Sequence, residues 1–227
     1  RGQRADLPFV VELLQRLHAA GLPVPYGVAT RSGECLRELA DKPALLQPRL
    51  AGKHIEQPNA HHCAEVGSWL ARMHLCTQAQ PLERRSDRGL DWMLSEGPLQ
   101  ALQLDGEALE LLRASLAEVA QAQAAVLALP RTNLHADLFR DNVLFDGPHL
   151  SGVIDFYNAC SGPMLYDVAI TLNDWCSTAS GSLDLSRARA LLAAYASLRP
   201  FHPAEAELWP CMLRIACLRF WLSRLIA

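Results

Sequence analysis

Three side chains in the stretch NLHADLFRDNVLFDGPHLSGVIDFYN, residues 133–158, have the types and spacing to do chemistry together: Asp137, Asn142 and Asp155. Asp137 and Asn142 lie on a loop that runs into a short apolar strand, VLF, and Asp155 ends a second strand, LSGVID. A hairpin of those strands brings all three to one end. Carboxylate and amide oxygens are the ligands hard cations such as Mg²⁺ prefer, and Mg²⁺ is usually held by one or two of them beside substrate phosphates. A carboxylate left off the metal can accept a proton from a hydroxyl. Two metal ligands and one Asp facing an alcohol are the parts that phosphoryl transfer requires.

Turn chemistry alone also puts Asp and Asn into loops, so the surrounding elements must decide. Asp6 and Pro8 read as a helix start, and Phe9, Val10, Leu13, Leu14 and Leu17 recur at helical spacing until Gly21 and Pro23, predicting a helix over about 7–20. PVPYGVAT, a turn at Arg31-Ser32-Gly33-Glu34, and then CLREL and PALLQPRL suit short strands joined by a hairpin. From residue 59 the pattern turns helical. HHCAEVGSWLARMHLCT and residues 107–127, with Leu109, Leu112, Leu116 and Val119 in a stripe, read as helices, whereas SDRGLDW reads as loop. The catalytic segment interrupts this body as a hairpin turning at Asp146-Gly147, and helices resume near 164–176, 184–197 and 204–227.

Composition sets the bounds. A chain of 227 residues with 50% hydrophobic and 20% charged residues can close a sizeable core. Its net charge of −3 gives no global positive field for a nucleic-acid backbone, so a phosphate site must be local. No apolar run is long enough to span a bilayer. The seven cysteines are odd in number and contain no C-x-x-C pair, which fits a reduced, cytosolic protein.

His135-x-Asp137-x-x-x-x-Asn142, followed thirteen residues later by an apolar-flanked Asp155, matches the protein-kinase catalytic loop and metal-binding Asp. In that pattern His135, the loop histidine, and Asp137, the base, are the catalytic residues, Asn142 and Asp155 the Mg²⁺ ligands, and Leu144 the floor under the adenine. The loop here reads HADLFRDN instead of H-R-D-L. It is followed by VIDFYNACSGPMLYDVAITLNDWC and preceded by LPVPYGVATRSG and KPALLQPRLAGKH. Over nearly its whole length the chain thereby resembles the aminoglycoside phosphotransferase and choline kinase family, and within it the bacterial branch that acts on L-homoserine.

The resemblance implies an α+β, protein-kinase-like two-lobe fold. Residues 1–50 would be a truncated N-lobe of helix, strands and hinge, and 51–227 a mainly helical C-lobe carrying the catalytic hairpin. It implies ATP and Mg²⁺ as cofactors and phosphorylation of the L-homoserine hydroxyl, a cytoplasmic step of threonine biosynthesis, with no nucleic-acid or membrane partner. Asp167, in LYDVA, resembles the buried Asp that supports the loop through backbone hydrogen bonds. PALLQPRL resembles the last N-lobe strand and hinge, so Gln47, Arg49 and Leu50 would meet the adenine edge. Glu12 resembles the acidic residue of the N-lobe helix. An amino-acid acceptor needs partners for its carboxylate and ammonium, for which Arg140 and Asp141 are the charged candidates beside the base. Asn158, Asp174 and Trp175 are further candidates.

The chain also departs from that pattern. No Gly-rich phosphate loop precedes residue 7, and the two lysines, Lys42 and Lys53, lie beyond Glu12. Further strands carrying those parts are therefore expected upstream of Arg1. Competing readings are a kinase for another small alcohol, such as choline, ethanolamine, a sugar or an aminoglycoside, and a noncatalytic nucleotide-binding module. Choline would call for an aromatic cage, and the retained Asp137, Asn142 and Asp155 argue against lost turnover. His61, His62 and Cys63, consecutive on a helix, cannot put three zinc ligands on one face. His74 reads as a satisfied semi-buried histidine, and Trp69, Trp175, Trp209 and Trp221 as core aromatics.

Overall fold

The computed structural model describes residues 6–226. Val10, Leu13, Leu14 and Leu17 form the buried face of helix α1 (Leu7–Ala19), with Pro8 in the first turn, where its missing N–H leaves nothing unpaired. Gly21, at φ +76°, ends the helix and lets the Leu22 N–H turn back to the Leu17 carbonyl at 3.0 Å. Asp6 stands at the N-cap, as expected, but its side chain does not bond the first turn; its carboxylate accepts from Arg84 at 3.0 Å and ties the helix start to the loop before α3. The next elements, β1 (Leu36–Leu39) and β2 (Lys42–Leu45), form the expected antiparallel hairpin. The second strand is shorter than PALLQPRL suggests, and residues 46–50 continue as irregular chain.

Six helices make the body: α2 (Ala60–Gln78), α3 (Leu90–Gln100), α4 (Gly106–Leu127), α5 (Met164–Trp175), α6 (Leu185–Leu198) and α7 (Pro203–Leu225). Asn59 caps α2 by accepting from the His62 N–H at 3.0 Å. Asp184 caps α6 by accepting from Ser186 and Arg187 at 2.9 and 3.0 Å. Helices α2 and α6 meet at Gly67, where a Cβ would come within 2.3 Å of the Leu191 carbonyl oxygen, so only glycine permits the approach. Helix α3 corrects the loop reading of SDRGLDW: it starts inside that stretch and carries Pro98 within it.

The strands among the helices are β3 (Arg131–Leu134), β4 (Val143–Asp146), β5 (His149–Val153) and β6 (Cys160–Pro163). Strands β4 and β5 form the expected hairpin, turning at Gly147 and Pro148, one residue later than predicted, with Gly147 at φ +58°. Strands β3 and β6 pair antiparallel and enclose that hairpin in the chain. Lys53 and Phe145 exchange backbone hydrogen bonds of 2.9 Å, so the segment after the first hairpin lies along β4.

Two apolar clusters flank the catalytic segment. One gathers Leu13, Leu70, Val153 and Leu191 from α1, α2, β5 and α6; the other gathers Met93, Leu112, Ile170 and Ile215 from α3, α4, α5 and α7. The loop between β3 and β4 is sewn into both, with Leu134 and Ala136 in the second cluster and Leu138 and Val143 in the first. Each fully buried side chain of this kind contributes about 1.5–3 kcal/mol, so Asp137 stands between two anchored neighbours. Among the described residues no helix is long and apolar enough to cross a membrane.

Candidate active site

The backing of the loop is built around Asp167 on α5, which is fully buried. Its two carboxylate oxygens accept from the backbone N–H groups of His135 at 2.7 Å and Ala136 at 2.8 Å. His74 of α2 adds a contact of 3.2 Å through Nε2 and bonds the Tyr195 hydroxyl at 2.8 Å through Nδ1. Burial works against the charge of Asp167, but the hydrogen bond and charge of His74 and the backbone N–H donors outweigh it and hold the carboxyl below its ordinary range. With both N–H groups clamped, Ala136 is fixed at φ +60°, a left-handed conformation that turns the chain sharply just before Asp137.

Asp137 keeps 19% of its side chain exposed. Asn158 Nδ2 donates to Asp137 Oδ2 at 2.9 Å, and an Arg219 guanidinium nitrogen lies 3.5 Å from Oδ1. Asn142, in a single 3₁₀ turn before β4, donates through Nδ2 to the Asp137 carbonyl at 2.8 Å, which leaves its Oδ1 available as a ligand. Asp155 lies two residues beyond β5, not in it, at φ 64° and ψ 64°. The hairpin register places Val143 opposite Val153, and the Ile154 N–H bonds the Asn142 carbonyl at 2.9 Å, so Asn142 and Asp155 leave the hairpin side by side. One amide oxygen and one carboxylate beside a second carboxylate are the donor set that Mg²⁺ uses together with substrate phosphates.

His135 is corrected from catalyst to positioning residue. Its ring is completely buried and Nε2 donates to the Ile154 carbonyl at 3.0 Å, linking the loop to the end of β5. Burial pushes this imidazole below its ordinary 6.5, against the charge of Asp167 and the bond to Ile154. Trp175 is also corrected: it is fully buried, and its indole N–H donates to the Leu138 carbonyl at 3.1 Å, so it backs the loop and cannot touch an acceptor. Arg140 and Asp174 bind each other, at 2.8 Å through the Arg140 N–H and 3.1 Å through Nε, so each already has a partner of opposite charge. Asp141 and Arg49 are exposed. Glu12 pairs with Arg16 one turn on, at 2.8 Å.

On the side of α1 a cavity of about 150 Å³ is lined by Val10, Leu14, Gln47, Asp155 and Phe156, among others, so Gln47 and Asp155 share it. Leu50 and Leu144 meet across Gly152, where an added Cβ would come within 2.7 Å of Leu50 Cδ1. The larger cavity, about 740 Å³ among Arg84, Trp92, Arg131 and Tyr166, contains none of Asp137, Asn142 or Asp155.

Sequence reasoning missed Arg219 and the part played by His74. A lone Arg on the last helix reads as a solvated face, and only the tertiary position of α7 reveals that Arg219 is 3% exposed and beside Asp137.

A model of the phosphotransferase enzyme family matches residues 1–201. A homoserine kinase of Pseudomonas aeruginosa is 67% identical over 227 residues, covering all of this chain and 72% of its own length. A homoserine kinase of Methylobacillus flagellatus is 44% identical over 220 residues, 97% of this chain and 68% of the relative. Among solved structures, an amicoumacin kinase in complex with AMP-PNP, Ca²⁺ and Ami superposes with a TM-score of 0.74 at 14% identity, over 99% of this chain and 71% of that one. A choline kinase from Cryptosporidium parvum gives 0.65 at 13% identity, over 96% and 71%. The chain shares the fold of these kinases.

Proposed function

The chain belongs to the phosphotransferase enzyme family, and from that premise we propose that it transfers the γ-phosphoryl group of ATP to the hydroxyl of L-homoserine, giving O-phospho-L-homoserine and ADP in the cytoplasm. The observation that carries this reading is the clamped loop: Asp167 fixes the backbone of His135 and Ala136, so Asp137 follows a fixed turn and is tied to Asn142, which leaves the hairpin alongside Asp155. The acceptor follows from the identity to the homoserine kinases over the whole chain.

In this reading Asp137 takes the proton of the acceptor hydroxyl, while Asn158 keeps its carboxylate turned toward that hydroxyl. Positioning of this kind contributes about 10²–10⁴ to rate. Among the described residues neither Asn142 Oδ1 nor the Asp155 carboxylate has a hydrogen-bond partner, so both could hold a cation. Mg²⁺ bound there supplies charge neutralisation of the nucleotide phosphates. Residues 1–50 and 51–227 act as the two lobes, with the adenine edge at Gln47 to Leu50 and Leu144 as its floor.

The test is ADP release by the full-length protein with homoserine, choline, ethanolamine and sugars as acceptors. Homoserine should exceed the others in kcat/KM by about 10² or more, because a site built for polar groups rejects analogues that lack them. Equal rates for choline or ethanolamine would remove the acceptor assignment and leave the phosphotransfer.

A further inference from the structure

Resting on that reading of the acceptor, we propose that Arg219 binds the α-carboxylate of the substrate and is the residue that selects an amino-acid alcohol over a plain amino alcohol.

The unusual feature of Arg219 is what its guanidinium lacks. Its side chain is 4% exposed, yet among the described residues the guanidinium makes no hydrogen bond, and Nη1 is a buried nitrogen with no partner. A buried cation without paired donors is strongly unfavourable unless something completes it. Two other largely buried arginine side chains have their terminal nitrogens paired, although Arg84 Nε also lacks a partner. Arg199 gives Nη1 to both oxygens of Glu205, at 2.7 and 2.5 Å, and Arg84 donates to the carbonyls of Tyr157 and Ala159 and to Asp6.

Holding Asp137 does not account for it. The 3.5 Å approach to Oδ1 is an ion pair without a hydrogen bond, and Asn158 already supplies Asp137 with a donor at 2.9 Å. The guanidinium is also held against an aromatic ring. Its Cζ lies 4.0 Å from the centre of the Phe220 ring, and that ring lies against Phe139 of the catalytic loop, with centroids 4.5 Å apart. The cation is therefore registered to the loop and still has open donors.

An acceptor phosphorylated at this site puts its hydroxyl on Asp137. In homoserine four bonds separate that oxygen from the carboxylate carbon, a span of about 5 Å from standard bond lengths. An anion at that distance falls within reach of a guanidinium lying 3.5 Å from the same Asp. Arginine offers a planar fork of donors matched to a carboxylate. The rival cation, Arg140, is engaged by Asp174 and by the Glu56 carbonyl at 3.1 Å.

The experiment is steady-state kinetics of the full-length protein and of Arg219→Gln and Arg219→Lys, with homoserine and with 3-amino-1-propanol, which keeps the hydroxyl and amine but has no carboxylate. Wild type should prefer homoserine, and Arg219→Gln should shrink that preference by about 10- to 100-fold, mainly through the homoserine KM, as loss of a charged hydrogen bond predicts. Arg219→Lys should recover part of it, and carries the test alone if the Gln variant does not fold. An equal loss of kcat/KM for both acceptors would show that Arg219 only steadies Asp137 and would overturn the proposal. Wild-type protein that does not prefer homoserine at all would instead defeat the reading of the acceptor, and this inference with it.

Discussion

The catalytic loop has two walls that handle buried charge in opposite ways. Behind it, Asp167 has both oxygens taken by backbone N–H groups and by His74, and His74 is itself completed by Tyr195. In front of it, Arg219 is nearly as inaccessible, and among the described residues its guanidinium makes no hydrogen bond, only the 3.5 Å ion pair with Asp137. A satisfied buried charge is scaffold, because any change to it is paid in folding free energy. An unsatisfied one beside a reactive carboxylate is chemistry awaiting a ligand. Substitutions behind the loop should therefore act on stability, and those in front on rate and selectivity.

The largest effect that can break this division is Asp137→Asn. Turnover should fall by about 10²–10⁴, with Mg·ATP affinity and melting temperature little changed, since a positioned base acts mainly on the transition state. Near-normal turnover would remove Asp137 from the reaction. Asp167→Ala should show the opposite pattern, with a loss of about 3–5 kcal/mol in urea or guanidinium unfolding, because it strands the N–H groups of His135 and Ala136 and the imidazole of His74. An Asp167→Ala protein of unchanged stability and lowered turnover would dissolve the distinction between the walls.

A smaller effect is written in pH. Burial holds the imidazole of His135 below its ordinary 6.5, so as pH falls past about 6.5 the unfolded chain takes up a proton that the folded one refuses. Stability then declines by at most about 1.4 kcal/mol per pH unit for this group. Asp167 behaves in the other sense: its lowered carboxyl stabilises the fold above its unfolded value, and that contribution disappears only as pH falls through the folded value. Unfolding curves at pH 7.5 to 5 should therefore slope more steeply for wild type than for His135→Gln, in which the group that titrates is absent. Identical slopes would mean that His135 does not stay neutral in the fold.

How much of this was visible in the sequence follows from the range of the interactions. The β4–β5 hairpin was legible because its signal is local, two apolar runs around Gly147 and Pro148, and it brought Asn142 and Asp155 together within about a turn of their places. The pairing of RTNL with CSGP was not legible: neither stretch has β-strand character, and its partners are separated by the whole catalytic segment. Helix α3 was hidden by Gly97 and Pro98, residues that ordinarily end helices and here sit in its last turn. Arg219 was invisible because Arg214, Arg219 and Arg224 look alike in sequence. Tertiary packing distinguishes them: Arg214 and Arg224 remain at the surface, whereas Arg219 is turned inward beside Asp137. Trp175 shows the converse error, an apolar residue near the loop read as contacting substrate when its burial makes it a support.

The smallest effect tests the front wall where it is least obvious. Among the described residues Asn158 is the one side chain that hydrogen-bonds the Asp137 carboxylate, at 2.9 Å, yet it reaches it from the turn after β5 and not from the loop itself. Asn158→Ala removes that donor and leaves Arg219, at 3.5 Å, as the remaining neighbour of opposite charge. The Asp137 carboxylate then gains freedom to rotate toward the guanidinium and away from the acceptor hydroxyl. One hydrogen bond to a charged group is worth about 1.5–3 kcal/mol, and water can replace part of it at a side chain this exposed. The expected loss is therefore about 5- to 20-fold in kcat, well short of Asp137→Asn, with nucleotide affinity retained. Asn158→Asp should be worse than Asn158→Ala, because a second carboxylate opposes the first instead of donating to it. If the Asp variant were instead the more active of the two, Asn158 would not be holding Asp137 by donation, and the front wall would have to be rebuilt around Arg219 alone.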